Sequence, residues 1–266
     1  MAVIIPARNE SKFIRSTLKA LIEQTLKPYR IIVVNDGSND NTHEIAAQNG
    51  AEVIDLVDRG FRATGKPVLA HVLNKGIQAI ANDECNYILI LGADHLLPPN
   101  YISKLIDLME DNLGIVIASG TIEGESQRDK APRGSGRIVR FDFWNQIGLQ
   151  YPTHFGYESY IIYKALADRH EVRVLRDLVS WSQRPTGKTT DYRSYGKAMK
   201  ALGYHPVYAI GRSLLAFGRT PKGSIQMLLG YLSSNIEKYD VAHFVHELQA
   251  LELKKKIKLA RRKLAT

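Results

Sequence analysis

Three polar clusters, each at the end of an apolar run, hold residues suited to chemistry. Arg8, Asn9 and Glu10 lie in the loop after Ile5, Asp36 and Ser38 in the loop after Val34, and Asp94 and His95 in the loop after Leu91. A carboxylate at the end of a buried strand is costly unless a cation or hydrogen-bond donors meet it. For Asp94 the natural partner is a divalent cation, because Mg2+ or Mn2+ prefers hard oxygen ligands. Asp36 precedes Gly37, so it closes an Asx turn, offers its carboxylate to a ligand, or does both. Lys66 either contacts an anion or is a solvated residue at a helix start. His95 reads as a ligand, an anion donor or a structural histidine.

Other chemistries are excluded by missing patterns. No Gly-x-Gly-x-x-Gly follows a strand, and no Gly-x4-Gly-Lys-Ser/Thr loop occurs. Neither a Gly-x-Ser-x-Gly elbow nor a His-Glu-x-x-His helix is found. The single cysteine, Cys85, rules out an intrachain disulfide and a cysteine zinc cluster, and its apolar neighbours mark it as a buried thiol.

The elements that must position these residues alternate. Strands are expected at 2–6, 30–35, 52–57, 86–91 and 115–119, and helices at 11–25 (Ser11 as N-cap), 42–48, 66–82 and 99–112. Apolar strands separated by amphipathic helices predict an α/β fold: a mostly parallel central sheet with helices on both faces. Such sheets bind ligands beyond the carboxyl ends of their strands, where all three clusters fall. The segment 120–136 is rich in Gly, Ser and charge and reads as an exposed, mobile loop. Beyond it a helix at 158–169, a strand at 171–175 and helices at 192–202, 223–239 and 241–266 are expected.

The chain has 266 residues, 44% of them hydrophobic and 24% charged, which excludes a disordered or low-complexity protein. Its net charge is +9, and residues 252–266 alone hold seven cations against Glu252. The remainder is nearly balanced, which argues against a nucleic-acid binder. One helical face of the last segment carries Val241, Phe244, Val245, Leu248 and Leu251. A second stripe, Leu253, Ile257, Ala260 and Leu264, is rotated by about 150°. Cations around that second stripe suit an anionic membrane surface, a solvated terminus or a subunit contact. The N-terminal apolar run is too short for a signal peptide, so a cytoplasmic protein is expected, peripheral at most on the membrane's cytoplasmic face.

Four motifs in order, 3–10, 33–42, 65–76 and 91–98, resemble the family 2 glycosyltransferases, which have the GT-A fold. The resemblance runs to about residue 112 and continues more loosely through Gly156-Tyr157-Glu158 and 182–187 to about 206. It implies a GT-A domain over 1–206, with a nucleotide-sugar-binding half at 1–119 and an acceptor and catalytic half at 120–206. A helical basic C-terminal appendage covers 207–266. It implies an inverting enzyme that moves a sugar from a nucleoside-diphosphate sugar to a hydroxyl of a glycan or lipid-linked acceptor. The other reading is a catalytically degenerate nucleotide-sugar-binding protein of the same fold.

Residue by residue, the resemblance places Pro6, Ala7 and Glu10 at the base pocket, Asp36 at base or ribose, and Lys66 at phosphate. Asp94, with His95, would bind Mg2+ or Mn2+ and the donor diphosphate. Arg184 would pair with diphosphate oxygens. Glu158 is the general base, although a carboxylate in the first turn of a helix is also favoured by the helix dipole alone. Gly92, Ser159 and Ser182 stand where the family carries acids or histidine.

Overall fold

The computed structural model describes residues 1–125, 131–184, 191–218, 220–233 and 235–264, and of 260–264 the backbone alone. These residues fall into two compact units. One comprises Met1–Thr64, Val68–Thr153 and the described residues of Asp168–Lys188. The other comprises Gly65–Pro67, His154–Ala167 and the described residues of Thr189–Thr266.

The first unit is built on β1 (Ala2–Ala7), β2 (Arg30–Asn35), β3 (Glu52–Asp55), β4 (Tyr87–Ile90), β5 (His95–Leu96), β6 (Ile115–Ile122), β7 (Arg137–Arg140) and β8 (Glu171–Ser182). Their order in the sheet is β3-β2-β1-β4-β7-β6-β8-β5. The pairs β1–β2, β1–β4, β2–β3 and β6–β8 are parallel. Strand β7 is antiparallel to both neighbours, and β5 is antiparallel to the end of β8.

Alternation along β1 decides how the sheet is covered. Val3, Ile5 and Ala7 share a core with Ile14, Leu18 and Leu21 of α1 (Ile14–Ile22) and with Ile102, Leu105 and Met109 of α4 (Tyr101–Asp111). Ile4 points the other way, toward α3 (Val68–Gln78). There Gly76 lets the helix close on the strand, since a Cβ would lie 2.5 Å from Ile4 Cγ2 and 3.0 Å from Val34 Cγ2. Each fully buried Ile or Leu contributes about 1.5–3 kcal/mol, so these opposed layers hold the sheet between helices. Two further helices, α2 (Thr42–Gln48) and α5 (Phe141–Gln146), complete the unit.

Several elements differ from the sequence expectation. Helix α1 begins three residues late, with Phe13 at its N-cap position, and the Ser11 N–H is donated to Asp40 Oδ2 at 3.1 Å. Strand β3 stops at Asp55, α3 ends at Gln78, and β8 runs for 12 residues. β7 was not foreseen: its ends are arginines, yet Arg137 is 1% exposed and donates to Pro132 O. The loop expected over 120–136 is not exposed at its ends. Gly120 lies in β6, where a Cβ would stand 2.2 Å from Leu178 O, and Gly136 is buried against Tyr101. Residues 126–130 of that loop lie outside the described residues, as do 185–190.

The second unit holds α6 (Tyr157–Ala167), α7 (Tyr192–Ala201), α8 (Pro206–Phe217), α9 (Pro221–Tyr231) and α10 (Ala242–Leu264). Asp191 caps α7 by accepting from Ser194 N–H at 3.0 Å. Helices α7 and α9 meet backbone to backbone. A Cβ at Gly196 would fall 1.9 Å from Met227 O, and one at Gly230 2.1 Å from Arg193 O. Met199, Ala209, Met227 and Tyr231 form the small core. Helix α8 falls in the segment expected to be helical, although no separate helix was placed there, and α9 stops well short of residue 239. Val241, just ahead of α10, and Val245 on it are buried, whereas Leu251 is 54% and Ile257 53% exposed. The side chains of Ala260 and Leu264 lie outside the described residues.

Candidate active site

Strand β5 sets the geometry. His95 and Leu96 pair with Ser182 and Trp181, and Gln183 N–H donates to Asp94 O at 2.8 Å. This ladder places Arg184 beside Asp94, with Nε 2.6 Å from Oδ2. The same guanidinium reaches Glu10 Oε1 through Nη2 at 2.6 Å and lies over the Phe13 ring, 5.3 Å from its centroid. Thr17 of α1 closes the triangle: its Oγ1 donates to Ala93 O at 2.8 Å and receives Gln183 Nε2 at 3.2 Å. The ends of β1, β4 and β8 thus converge on one arginine held between two acids.

Glu10 is 2% exposed, and Arg62 also pairs with its Oε1. Its Oε2 is buried and makes no hydrogen bond among the described residues. Burial pushes the Glu10 pKa up, with Arg184 and Arg62 pulling against it. For Arg184, burial acts downward, but Glu10 and Asp94 outweigh it and hold the guanidinium firmly charged.

A second pair sits one strand over. Asp36 N–H donates to Ala7 O at 2.7 Å, and the Asp36 carboxylate pairs with Arg59. Arg8 donates to Asp36 O and to Asp58 Oδ1, both at 2.5 Å. Burial raises the Asp36 pKa against the pull of Arg59 and Arg8. Gly37 adopts φ +66°, and a Cβ there would lie 2.4 Å from Asp58 Cα, so only glycine fits this turn. Pro6 and Ala7 line the end of β1 opposite Val34 and Asn35.

His95 is engaged at both ring nitrogens, Nδ1 with Ser135 Oγ at 2.5 Å and Nε2 with Ser180 Oγ at 2.8 Å. A metal-ligand role would require one of these bonds to break. Burial pushes its pKa down to about 4, so the ring is neutral near neutral pH. Ser135 Oγ also accepts from Gly92 N–H at 2.7 Å and would stand 3.1 Å from a Cβ at position 92. A serine hydroxyl therefore crowds the space beside Gly92.

The structure brings Glu10, Asp94 and Arg184 together, with Asp36 on the neighbouring strand end. Lys66 and Glu158 belong to the second unit. Lys66 is exposed ahead of α3, and Glu158 stands in the first turn of α6. Arg59, Arg62 and Ser135 escaped sequence reasoning. The only trace of the first two is the recurrence of arginine in the segment that follows β3.

Among the described residues no group of three His, Cys, Asp or Glu could hold a metal alone. A donor set of one carboxylate, Asp94, still fits Mg2+ or Mn2+. Such ions are commonly held by one or two carboxylates with substrate phosphate oxygens and water completing the shell.

The mixed sheet and its helices are shared with solved glycosyltransferases. TarS of Staphylococcus aureus, solved with UDP, superposes with TM-score 0.59 over 92% of this chain and 69% of that one, at 14% identity. The mannosyltransferase PcManGT of Pyrobaculum calidifontis, solved with GDP-Man and Mn2+, superposes with TM-score 0.57 over 95% and 80%, at 16% identity. These likenesses establish the GT-A fold. A 4,4'-diaponeurosporenoate glycosyltransferase of Staphylococcus aureus is 48% identical over 58 residues, 22% of this chain and only 15% of that protein. The sequence pattern of glycosyl transferase family 2 matches residues 2–170, and the chain belongs to that family.

Proposed function

We propose that the protein transfers a sugar from a nucleoside-diphosphate sugar to a hydroxyl acceptor, with inversion at the anomeric carbon. The observation that carries this is Arg184, held 2.6 Å from both Glu10 and Asp94 where β1, β4 and β8 end. An arginine fork fixed between two acids presents its remaining donors in a set orientation, which suits diphosphate oxygens. TarS and PcManGT were solved with UDP and with GDP-Man, which supports a nucleotide-sugar donor here.

In this reading Pro6, Ala7 and Glu10 line the base pocket, and Asp36, steadied by Arg59, takes the base or ribose. Lys66 meets phosphate. Asp94 would hold Mg2+ or Mn2+ together with the diphosphate, where the ion offsets charge on the leaving group. Glu158 takes the proton from the acceptor hydroxyl as that oxygen attacks from the face opposite the diphosphate. His95 stays neutral and fixes the 92–95 turn through Ser135 and Ser180. The acceptor is a hydroxyl of a glycan or of a lipid-linked molecule.

Calorimetry against UDP-, GDP- and dTDP-sugars, with and without Mn2+, tests the reading. Selective binding of one donor, strengthened by Mn2+ and weakened by Asp94→Asn, is expected. Folded protein that binds none of them would defeat it. Donor binding without transfer to any hydroxyl acceptor would instead identify the degenerate form.

A further inference from the structure

Helices α8 and α9 pack on each other and leave a large apolar surface outside. On α8 the exposed residues Val207, Ile210, Leu214 and Phe217 follow helical spacing, with Leu214 66% exposed and Leu215 beside it at 84%. On α9 Ile225, Leu229 and Leu232 recur at i, i+4 and i+7, each more than half exposed. The inward faces are accounted for: Ala209 and Ser213 of α8 and Met227 and Tyr231 of α9 are buried. An outward apolar face spanning two helices marks a contact surface rather than scattered exposed leucines.

The charge around this face indicates what covers it. Residues 206–233 contain Arg212, Arg219 and Lys222 but no Asp or Glu. Helix α10 brings more cations alongside. Tyr208 OH donates to Glu252 Oε2 at 2.7 Å, Lys256 Nζ lies 5.3 Å from the Tyr208 ring centroid, and His205 N–H donates to Gln249 Oε1 at 2.8 Å. Lys254, Lys255 and Lys258 of the same helix are exposed. An apolar face whose own two helices carry cations and no acids matches the interface of an anionic bilayer, with side chains in the acyl boundary and lysines at the head groups. No helix among the described residues is long and apolar enough to cross a membrane.

We infer that the α8–α9 pair is a membrane-docking surface that seats its apolar face in an anionic lipid leaflet, with the 254–258 segment of α10 as its electrostatic border. This surface is read without any donor or acceptor, so it stands or falls separately from the transfer reaction.

The test uses the full chain and vesicles of phosphatidylcholine, with or without phosphatidylglycerol, in a sedimentation assay. Wild-type protein should bind the anionic vesicles and bind neutral ones much less. The double substitution Leu214→Asp, Leu229→Asp lies on exposed positions, so circular dichroism and melting should be unchanged while vesicle affinity falls about tenfold or more. The charge variant Lys254→Glu, Lys255→Glu, Lys258→Glu should lose binding to anionic vesicles while its melting stays that of wild type. Wild-type protein that sediments with neither vesicle would overturn the inference. So would variants that bind like wild type, or a vesicle-free dimer in light scattering that Leu214→Asp, Leu229→Asp dissociates.

Discussion

Arg184→Met removes the cation between Glu10 and Asp94 while keeping much of the side-chain volume. In the folded protein Glu10 is almost wholly buried, and the Arg184 side chain is one-third exposed. Losing a hydrogen bond to a charged, buried partner costs about 1.5–3 kcal/mol, and Arg62, still paired with Glu10, keeps the loss toward the lower end. The sign of the pH dependence follows from Glu10. Burial already raises its pKa above 4.5, and removing Arg184 raises it further. A carboxyl with a raised folded pKa leaves the protein most stable below the unfolded value and costs stability as pH climbs through the folded one. The variant should therefore unfold in urea much like wild type near about pH 4 and show its full deficit near about pH 8. If the guanidinium also binds diphosphate, calorimetry should show donor affinity weakened about tenfold to 150-fold, the same energy read as a binding constant. Equal stability at both pH values, with donor affinity within about twofold of wild type, would refute the geometry and the role assigned to it.

Asp94→Asn should lower the transfer rate about 100-fold or more while leaving the melting curve nearly unchanged; a wild-type rate would remove Asp94 from the site. Gly37→Ala should destabilise by about 2 kcal/mol or more, read by urea unfolding, since it combines a left-handed φ with a clash on the Asp58 backbone. His95 has its pKa lowered by burial, so its contribution is present above 6.5 and is lost as pH falls toward about 4. The His95 contribution to that loss is about 3 kcal/mol, so His95→Gln should lose less stability than wild type over that range; an equally steep curve in the variant would contradict the burial account.

Local pattern sufficed where an element is bounded by its own turn formers. β2 and α2 fall where expected because Asn35 to Asn41 punctuate them, and the parallel order of β1, β2 and β4 follows from apolar runs too short and too continuous to be anything else. Contacts that depend on tertiary neighbours were not legible. Ser11 has the composition of a helix cap, but Asp40, 29 residues away, takes its N–H. Arg137 reads as surface until β4 and β6 enclose its strand on both sides. The acids of the candidate site were visible at strand ends, whereas their cations were only partly so. Arg184 was found through its motif, and Arg59 and Arg62 lie in a segment with no periodicity. The hydrogen bonds that hold the His95 ring come from Ser135 and Ser180, 40 and 85 residues further along the chain.

The glycine contact between α7 and α9 has a mechanical consequence. With Gly196 against Met227 O and Gly230 against Arg193 O, neither helix can roll without driving a side chain or carbonyl into its partner's backbone. Sliding is equally restricted, because each glycine notch accepts a single carbonyl. Helix α9 is therefore keyed in azimuth, and Ile225, Leu229 and Leu232 must project along one fixed bearing from α7. A larger residue at either notch would do more than loosen the stack: it would turn that row of side chains to a different heading.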